Sequence, residues 1–203
     1  TSYQAAYPFS SPEPKNNANR RRFDQFLFQQ IEKDSTGNLL LVAEQNIFDP
    51  INGLLEYNDI LVIRHDNLDK PVWMKRIPKR QQGYSYIPKL TYGYQSFFYK
   101  DNLFFLFNDA LKNQKGAGNQ PERELYEGGN EAVPIYVLDA NGKLNRFDAT
   151  PLLKNAGIGA IVPEKIWQVR KNYLLVGCVP LQVETPGIRL VGIDLGAVIR
   201  SMQ

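Results

Sequence analysis

Val72 to Leu90 reads VWMKRIPKRQQGYSYIPKL and sets Lys75, Arg76, Lys79, Arg80 and Lys89 among Trp73, Tyr84 and Tyr86. Cationic groups beside flat aromatic platforms suit an anionic polymer, either acidic polysaccharide or single-stranded nucleic acid. The bias runs on: from Lys70 to Lys100 there are seven Lys or Arg, no Asp or Glu, and eight aromatic residues. The candidate ligand-binding residues are therefore Trp73, Lys75, Arg76, Lys79, Arg80, Tyr84 and Tyr86. The competing reading is a half-buried strand whose charges face water. In PVWMKRIP, strict alternation puts Lys75 on the face of Trp73 and Ile77, so Lys75 must either snorkel or meet an acid.

Other reactive residue types are sparse. His65 is the single histidine and Cys178 the single cysteine, which excludes an internal disulfide and a zinc site built from Cys and His. His65 sits beside Asp66 at a strand end. Neighbours on a strand point to opposite faces, so this is not a catalytic dyad, and an exposed turn histidine is expected. Cys178, in YLLVGCVPL, is expected to be a buried, inert thiol. The acids Glu122, Glu124, Glu127, Glu131 and Asp139 could in principle supply a glycosidase pair, but no spacing shows two of them facing each other. Phe107-Asn108-Asp109 and Asn113 suit capping of loop backbone better than cation binding. No catalytic residue, metal or cofactor is assigned.

The chain has 203 residues, 43% apolar and 22% charged, an ordinary globular balance, and its net charge of +3 gives nucleic acid no whole-molecule attraction. No apolar run is long enough for a transmembrane segment. The start, Thr1-Ser2-Tyr3, points to a processed chain or a piece of a longer precursor.

The elements that would position these residues are short apolar runs broken by turn formers. Residues 1–22, rich in Pro, Ser and Asn, read as an extended arm. Hairpins are expected around DSTGN, DNLDK, Asp101-Asn102 and Ala140-Asn141-Gly142, and then around Arg170-Lys171-Asn172 and Pro186-Gly187. Only ATPLLKNAG, with Thr150 as cap and Gly157 as stop, and LGAVIRSMQ have helical character. The fold class is all-β. It groups into about three blade-like antiparallel units (23–82, 94–150 and 163–195) within one domain, 23–203, nominally of four strands each. Three such units make a partial or incomplete β-propeller; a β-sandwich or open barrel is the alternative.

W-M-K-R-I-P-K-R-Q, then S-F-F-Y-K-D-N-L-F-F-L-F-N-D with Lys112-Asn113, then I-V-P-E-K-I-W-Q-V-R-K-N-Y-L-L-V-G, resembles a pattern in uncharacterised cell-envelope proteins of Bacteroidetes-type bacteria. It covers roughly Ile60 to Leu195. The resemblance implies a propeller-like β fold and an export signal on the precursor, hence a periplasmic or cell-surface location. It carries no assigned activity. Together these features point to a non-catalytic binding or assembly module of the envelope, a subunit or fragment of a larger propeller or complex. Its partner is expected to be another protein chain or a second copy. A polyanion-binding protein, for polysaccharide rather than nucleic acid, and a carbohydrate-active enzyme are the alternatives.

Overall fold

Turn chemistry sets the hairpins. Lys100 (φ 50°) and Asp101 (φ 55°) form the two-residue turn between the paired residues Tyr99 and Asn102. Left-handed backbone at both central positions matches the twist of the flanking strands. The turn thus falls one residue earlier than Asp101-Asn102. Gly142 (φ 78°) completes the Asn-Gly turn. There the Asp139 carboxylate accepts from the amides of Asn141 (2.9 Å) and Lys143 (2.8 Å).

The protein is described from a computed structural model over residues 26–68, 70–84, 91–115, 124–127, 131–181 and 187–202. The expected arm (1–22), Phe23, Tyr86, Lys89, Glu122 and Pro186 lie outside the described residues. The fold is all-β with antiparallel sheets. In the first sheet, β1 (Phe26–Lys33), β2 (Leu39–Asp49), β3 (Leu54–His65) and β4 (Pro71–Ile77) lie in that order, and β5 (Gln81–Tyr84) also pairs with β3. β4 pairs with the second half of β3 and β5 with its first half. The break between β4 and β5 falls at Pro78, which has no amide hydrogen for the ladder.

The second sheet contains β6 (Gln95–Tyr99), β7 (Asn102–Leu106), β10 (Pro134–Leu138) and β11 (Leu144–Asp148), in the order β11-β10-β7-β6. Between β7 and β10 lie the two-residue strands β8 (Asp109–Ala110) and β9 (Glu131–Ala132), which pair with each other. The third sheet is β12 (Ile158–Arg170), β13 (Tyr173–Pro180) and β14 (Arg189–Asp194). It has three strands, not the nominal four. Strand β12 starts at Ile158, before the expected unit start at residue 163, and carries register shifts along its length.

Two short helices close the loops. In α1 (Thr150–Asn155) Ala149 is the N-cap, and Thr150 does not cap. Its hydroxyl is engaged elsewhere, donating to Asp148 and accepting from the Val133 amide. In α2 (Leu195–Ser201) the Asp194 carboxylate caps the amides of Gly196 and Ala197.

The second sheet is buried on both faces. Leu103, Phe105, Phe107, Tyr136 and Leu138 pack with Leu40, Val42, Ile60, Val62 and Ile77 of the first sheet. Phe104, Leu106, Ile135 and Val137 pack with Ile161, Ile166, Leu174, Val176 and Cys178 of the third. The run LFFLF is therefore apolar at every position, the pattern of a strand covered on both sides. Each such side chain stabilises the fold by about 2 kcal/mol.

Hydrogen bonds fix how the sheets meet. The Asn108 amide donates to the carbonyls of Thr91 (2.8 Å) and Ile161 (2.7 Å), and its oxygen accepts from the Ile161 amide (2.9 Å). Arg64 of β3 donates to the Ala140 carbonyl (2.8 Å) in the β10–β11 turn and pairs with Asp34 at 2.6 Å in the β1–β2 turn. Burial pushes the Asp34 carboxyl up, but hydrogen bonds from Thr36, Arg64 and Asn38 outweigh it and hold it well below the usual range.

Two outcomes follow from these links. Asn108→Ala leaves the Ile161 amide and carbonyl unpaired in the core and should lower stability by about 3 kcal/mol, read from urea denaturation; a loss under about 1 kcal/mol would show the link to be incidental. Asp34 has a folded pKa below its unfolded value of about 3.9, so on acidification the unfolded chain takes up the proton first and stability falls. Asp34→Asn should flatten that fall below about pH 4 in a pH series of urea midpoints; an unchanged slope would refute it.

Candidate interaction surfaces

The basic stretch is divided by the pleat of the first sheet. Registers Arg64–Trp73, Val62–Lys75 and Ile60–Ile77 are continuous, so Trp73, Lys75 and Ile77 share the face toward the second sheet. Trp73 is half-buried against Gly142, where an added Cβ would lie 3.1 Å from the indole, and its Nε1 donates to the Ala140 carbonyl at 3.2 Å. Lys75 follows the snorkelling course: its methylenes lie along Gly142, and the residue is exposed. Arg76 is on the opposite face and pairs with the buried carboxylate of Asp59.

Lys79 requires a correction. It is 0% exposed and so cannot meet a ligand. Just past the Pro78 break its chain turns inward, with its amide donating to Asp59 at 3.2 Å. The ammonium lies 2.6 Å from the Glu44 carboxylate, donates to the Tyr57 carbonyl and the Gln81 side-chain oxygen (3.1 Å each), and sits over the Tyr57 ring. Burial pushes it below the usual lysine range, against the pull of Glu44. The remaining candidates are peripheral. Arg80 is exposed, with its carbonyl accepting from Tyr126; Tyr84 is exposed at the end of β5; Tyr86 is outside the described residues. Among the described residues the candidates are divided: Trp73 and Lys75 lie by Gly142, Arg76 is on the opposite face and Lys79 is buried.

Sequence reasoning also missed the polar seam behind Lys79. Gln81 accepts from the Gly93 amide and donates to the Asn108 carbonyl, both at 2.7 Å. The seam therefore runs Glu44–Lys79–Gln81–Asn108–Ile161 and joins all three sheets. Gln29 donates to Glu44 at 2.9 Å from the edge strand β1. Tyr94 stands near Glu44; burial, then that carboxylate, pushes its phenol up.

His65 also differs from expectation. It is buried, because β3 is flanked by β2 and β4 and its last residue pairs with Leu39 and Pro71. Cys178 is fully buried and burial pushes its thiol up to about 11. Asp109 and Asn113 hold the loop after β7: Asn113 donates to the Asp109 carboxylate at 2.7 Å and accepts from the Glu124 amide at 2.9 Å. Among the candidate acids, Glu124 pairs with Lys112, Glu131 accepts from the Tyr126 hydroxyl, Asp139 closes its turn and Glu127 is exposed. Among the described residues no three His, Cys, Asp or Glu side chains gather as metal ligands, and no helix is long and apolar enough to cross a membrane.

The outer faces of the two end sheets carry apolar side chains among charged ones, with Lys33 and Arg76 on the first and Lys165 and Arg170 on the third. In the first sheet, the registers put Phe28, Ile31, Leu39, Leu41, Leu61 and Met74 on the face away from the second sheet. Phe28 is 65% and Ile31 66% exposed. In the third, Trp167, Leu175 and Gly192 are in register, as are Gly177 and Leu190. Tyr173 lies over Gly192, and Ile188 over Gly177. Trp167, Val169, Tyr173, Ile188 and Leu190 are all exposed.

No family model matches the chain, and no curated protein matches it. Two solved structures, both mutants of the Synechocystis apocarotenoid oxygenase, are similar at TM-scores of 0.36 and 0.32 with 13% and 14% identity. They cover 83% and 79% of this chain, which spans 36% and 34% of theirs. A likeness this low carries no argument about fold or activity.

The buried pair makes a sharp test. Lys79→Met alone strands the Glu44 carboxylate and should cost about 3–5 kcal/mol. Adding Glu44→Gln should recover much of it, seen as a coupling energy in a double-mutant cycle. Strictly additive losses would show that the two charges do not depend on each other.

Proposed function

We propose that this chain is a non-catalytic binding or assembly module of the bacterial cell envelope. In this reading, residues 23–203 form one domain of three blade-like units in a propeller-like arrangement. One observation carries it: both end sheets turn large exposed apolar side chains outward, Phe28 and Ile31 on the first and Trp167, Tyr173 and Leu190 on the third. The second sheet, of similar strand chemistry, has each face covered by another sheet. A face bearing Trp167, Tyr173 and Leu190, or Phe28 and Ile31, therefore calls for the same kind of cover. Large apolar side chains grouped in the open on one sheet face are the kind that a protein contact covers.

The occupant we name is a second copy of this chain, the outer face of the first sheet of one packed on the outer face of the third sheet of the other. Such a contact is heterologous and closes into a ring when the rotation permits. The envelope location rests on the resemblance to uncharacterised envelope proteins, and the non-catalytic character on Glu124, Glu131 and Asp139, which are held by Lys112, Tyr126 and a turn.

Sedimentation over a concentration series tests this. The wild-type chain should associate reversibly. Phe28→Lys with Ile31→Lys, or Trp167→Lys with Leu190→Lys, should each shift it to monomer without lowering its melting temperature. A wild-type chain that stays a stable monomer at every concentration would overturn the second-copy reading.

A further inference from the structure

A groove of about 510 Å³ is lined by Phe98, Tyr99, Lys100, Gln168, Arg170 and Lys171. Strands β6 and β12 each form an edge of their sheet, and the β6–β7 and β12–β13 turns bring their cations to the groove from two sides. Left-handed backbone at Lys100 is uncommon for a residue with a side chain, and it sets Lys100 at the groove. Its ammonium lies 5.5 Å from the Tyr99 ring centroid. Gln168 is held by its bond to the Lys171 carbonyl at 2.7 Å.

The charges here are unbalanced. Among the described residues no carboxylate pairs with Lys100, Arg170 or Lys171. Asp101, next to Lys100, accepts from the amide and hydroxyl of Ser35, and Asp194, opposite Tyr173, accepts from the Gly196 and Ala197 amides and Asn172. Three cations gathered without an acid repel one another, and an oxyanion relieves that repulsion. The volume is that of a small-ligand site.

We propose that this groove binds an acidic saccharide, with its sulfate or carboxylate groups on Lys100, Arg170 and Lys171 and its sugar body along Tyr99. A nucleic-acid strand is the poorer fit. Its affinity comes from a track of many phosphate contacts, whereas here the cations sit in one groove of a chain with net charge +3.

Titration calorimetry at low salt with a heparin-derived hexasaccharide and with hexagalacturonate separates the sulfate from the carboxylate form. A short single-stranded oligonucleotide of matched charge is the third probe. At least one saccharide should bind, and bind more weakly as salt rises. The triple variant Lys100→Gln, Arg170→Gln, Lys171→Gln should weaken binding by about a hundredfold, while Lys75→Gln leaves it unchanged. Amide shifts on adding the bound saccharide to the wild-type chain should centre on the two turns, which tests the site without any variant. Failure of both saccharides to bind, equal binding by the triple variant, shifts elsewhere, or tighter binding of the oligonucleotide would each overturn the proposal.

Discussion

The junction of the second and third sheets rests on one side chain, Asn108. Apolar packing drives the three sheets together, but it is non-directional and would tolerate sliding. Asn108 sits at the end of the LFFLFN run, where the chain leaves the second sheet, and it bonds both the amide and the carbonyl of Ile161 in the third. An amide side chain does this because it carries a donor and an acceptor side by side, as a paired strand does. Aspartate lacks the donor and leucine lacks both. Gln81 repeats the device on the other side, accepting from Gly93 and donating to the Asn108 carbonyl. Two amides thus stand in for ladder bonds where no strand can reach, and they turn a loosely directed hydrophobic stack into one register.

The same seam explains why a stretch rich in Lys and Arg is not one surface. A strand pleat sends alternate residues to opposite faces. Trp73, Lys75, Ile77 and Lys79 all go inward, but to different depths. Trp73 and Lys75 lie near the β10–β11 turn, so Lys75 can lead its ammonium out past Gly142. Lys79 lies where the sheets meet, and its charge is tolerated because Glu44, the Tyr57 carbonyl and Gln81 surround it. A buried pair of this sort gives little net stability over an apolar one, but it penalises any packing that parts its members. Placed beside Asn108 and Gln81, it adds to the specificity of one arrangement.

What could be read from the sequence was local. Asn141-Gly142, Lys100-Asp101-Asn102 and Arg170-Lys171-Asn172 declare hairpins because turn backbone selects residues directly. The same logic applied to Asn52-Gly53 would have revealed the β2–β3 hairpin, where Gly53 has φ 64° and Asp49 caps the Ile51 amide at 2.9 Å. The all-β class was legible in the short apolar runs between those turns, while the burial of LFFLF on both faces came only with the packing of the sheets. Lys79, His65 and Asn108 were not. Each is decided by what packs on it from another sheet, and a residue type that usually favours water gives no sign of an exception. The basic groove was missed because Lys100 and Lys171 come together only through the packing of two sheets whose turns are seventy residues apart in the chain.

A sheet that ends against water should alternate apolar with polar residues. The end sheets here break that rule differently from the middle one. On β1, Phe28 and Ile31 lie on the outer face, yet Leu27 on the inner side is exposed as well, so this edge is apolar both ways. On the third sheet the outer face combines bulky Trp167 and Tyr173 with Gly177 and Gly192, giving ridges and hollows beside Lys165 and Arg170. Relief of this kind costs stability in an isolated sheet, since glycine in a strand contributes no packing of its own. Tyr173 and Lys165 partly fill the hollows from within the chain. The apolar side chains left in the open there, Trp167, Ile188 and Leu190, are of the same bulky kind as those that fill the interior, so on these strands residue type alone does not separate the covered face from the open one.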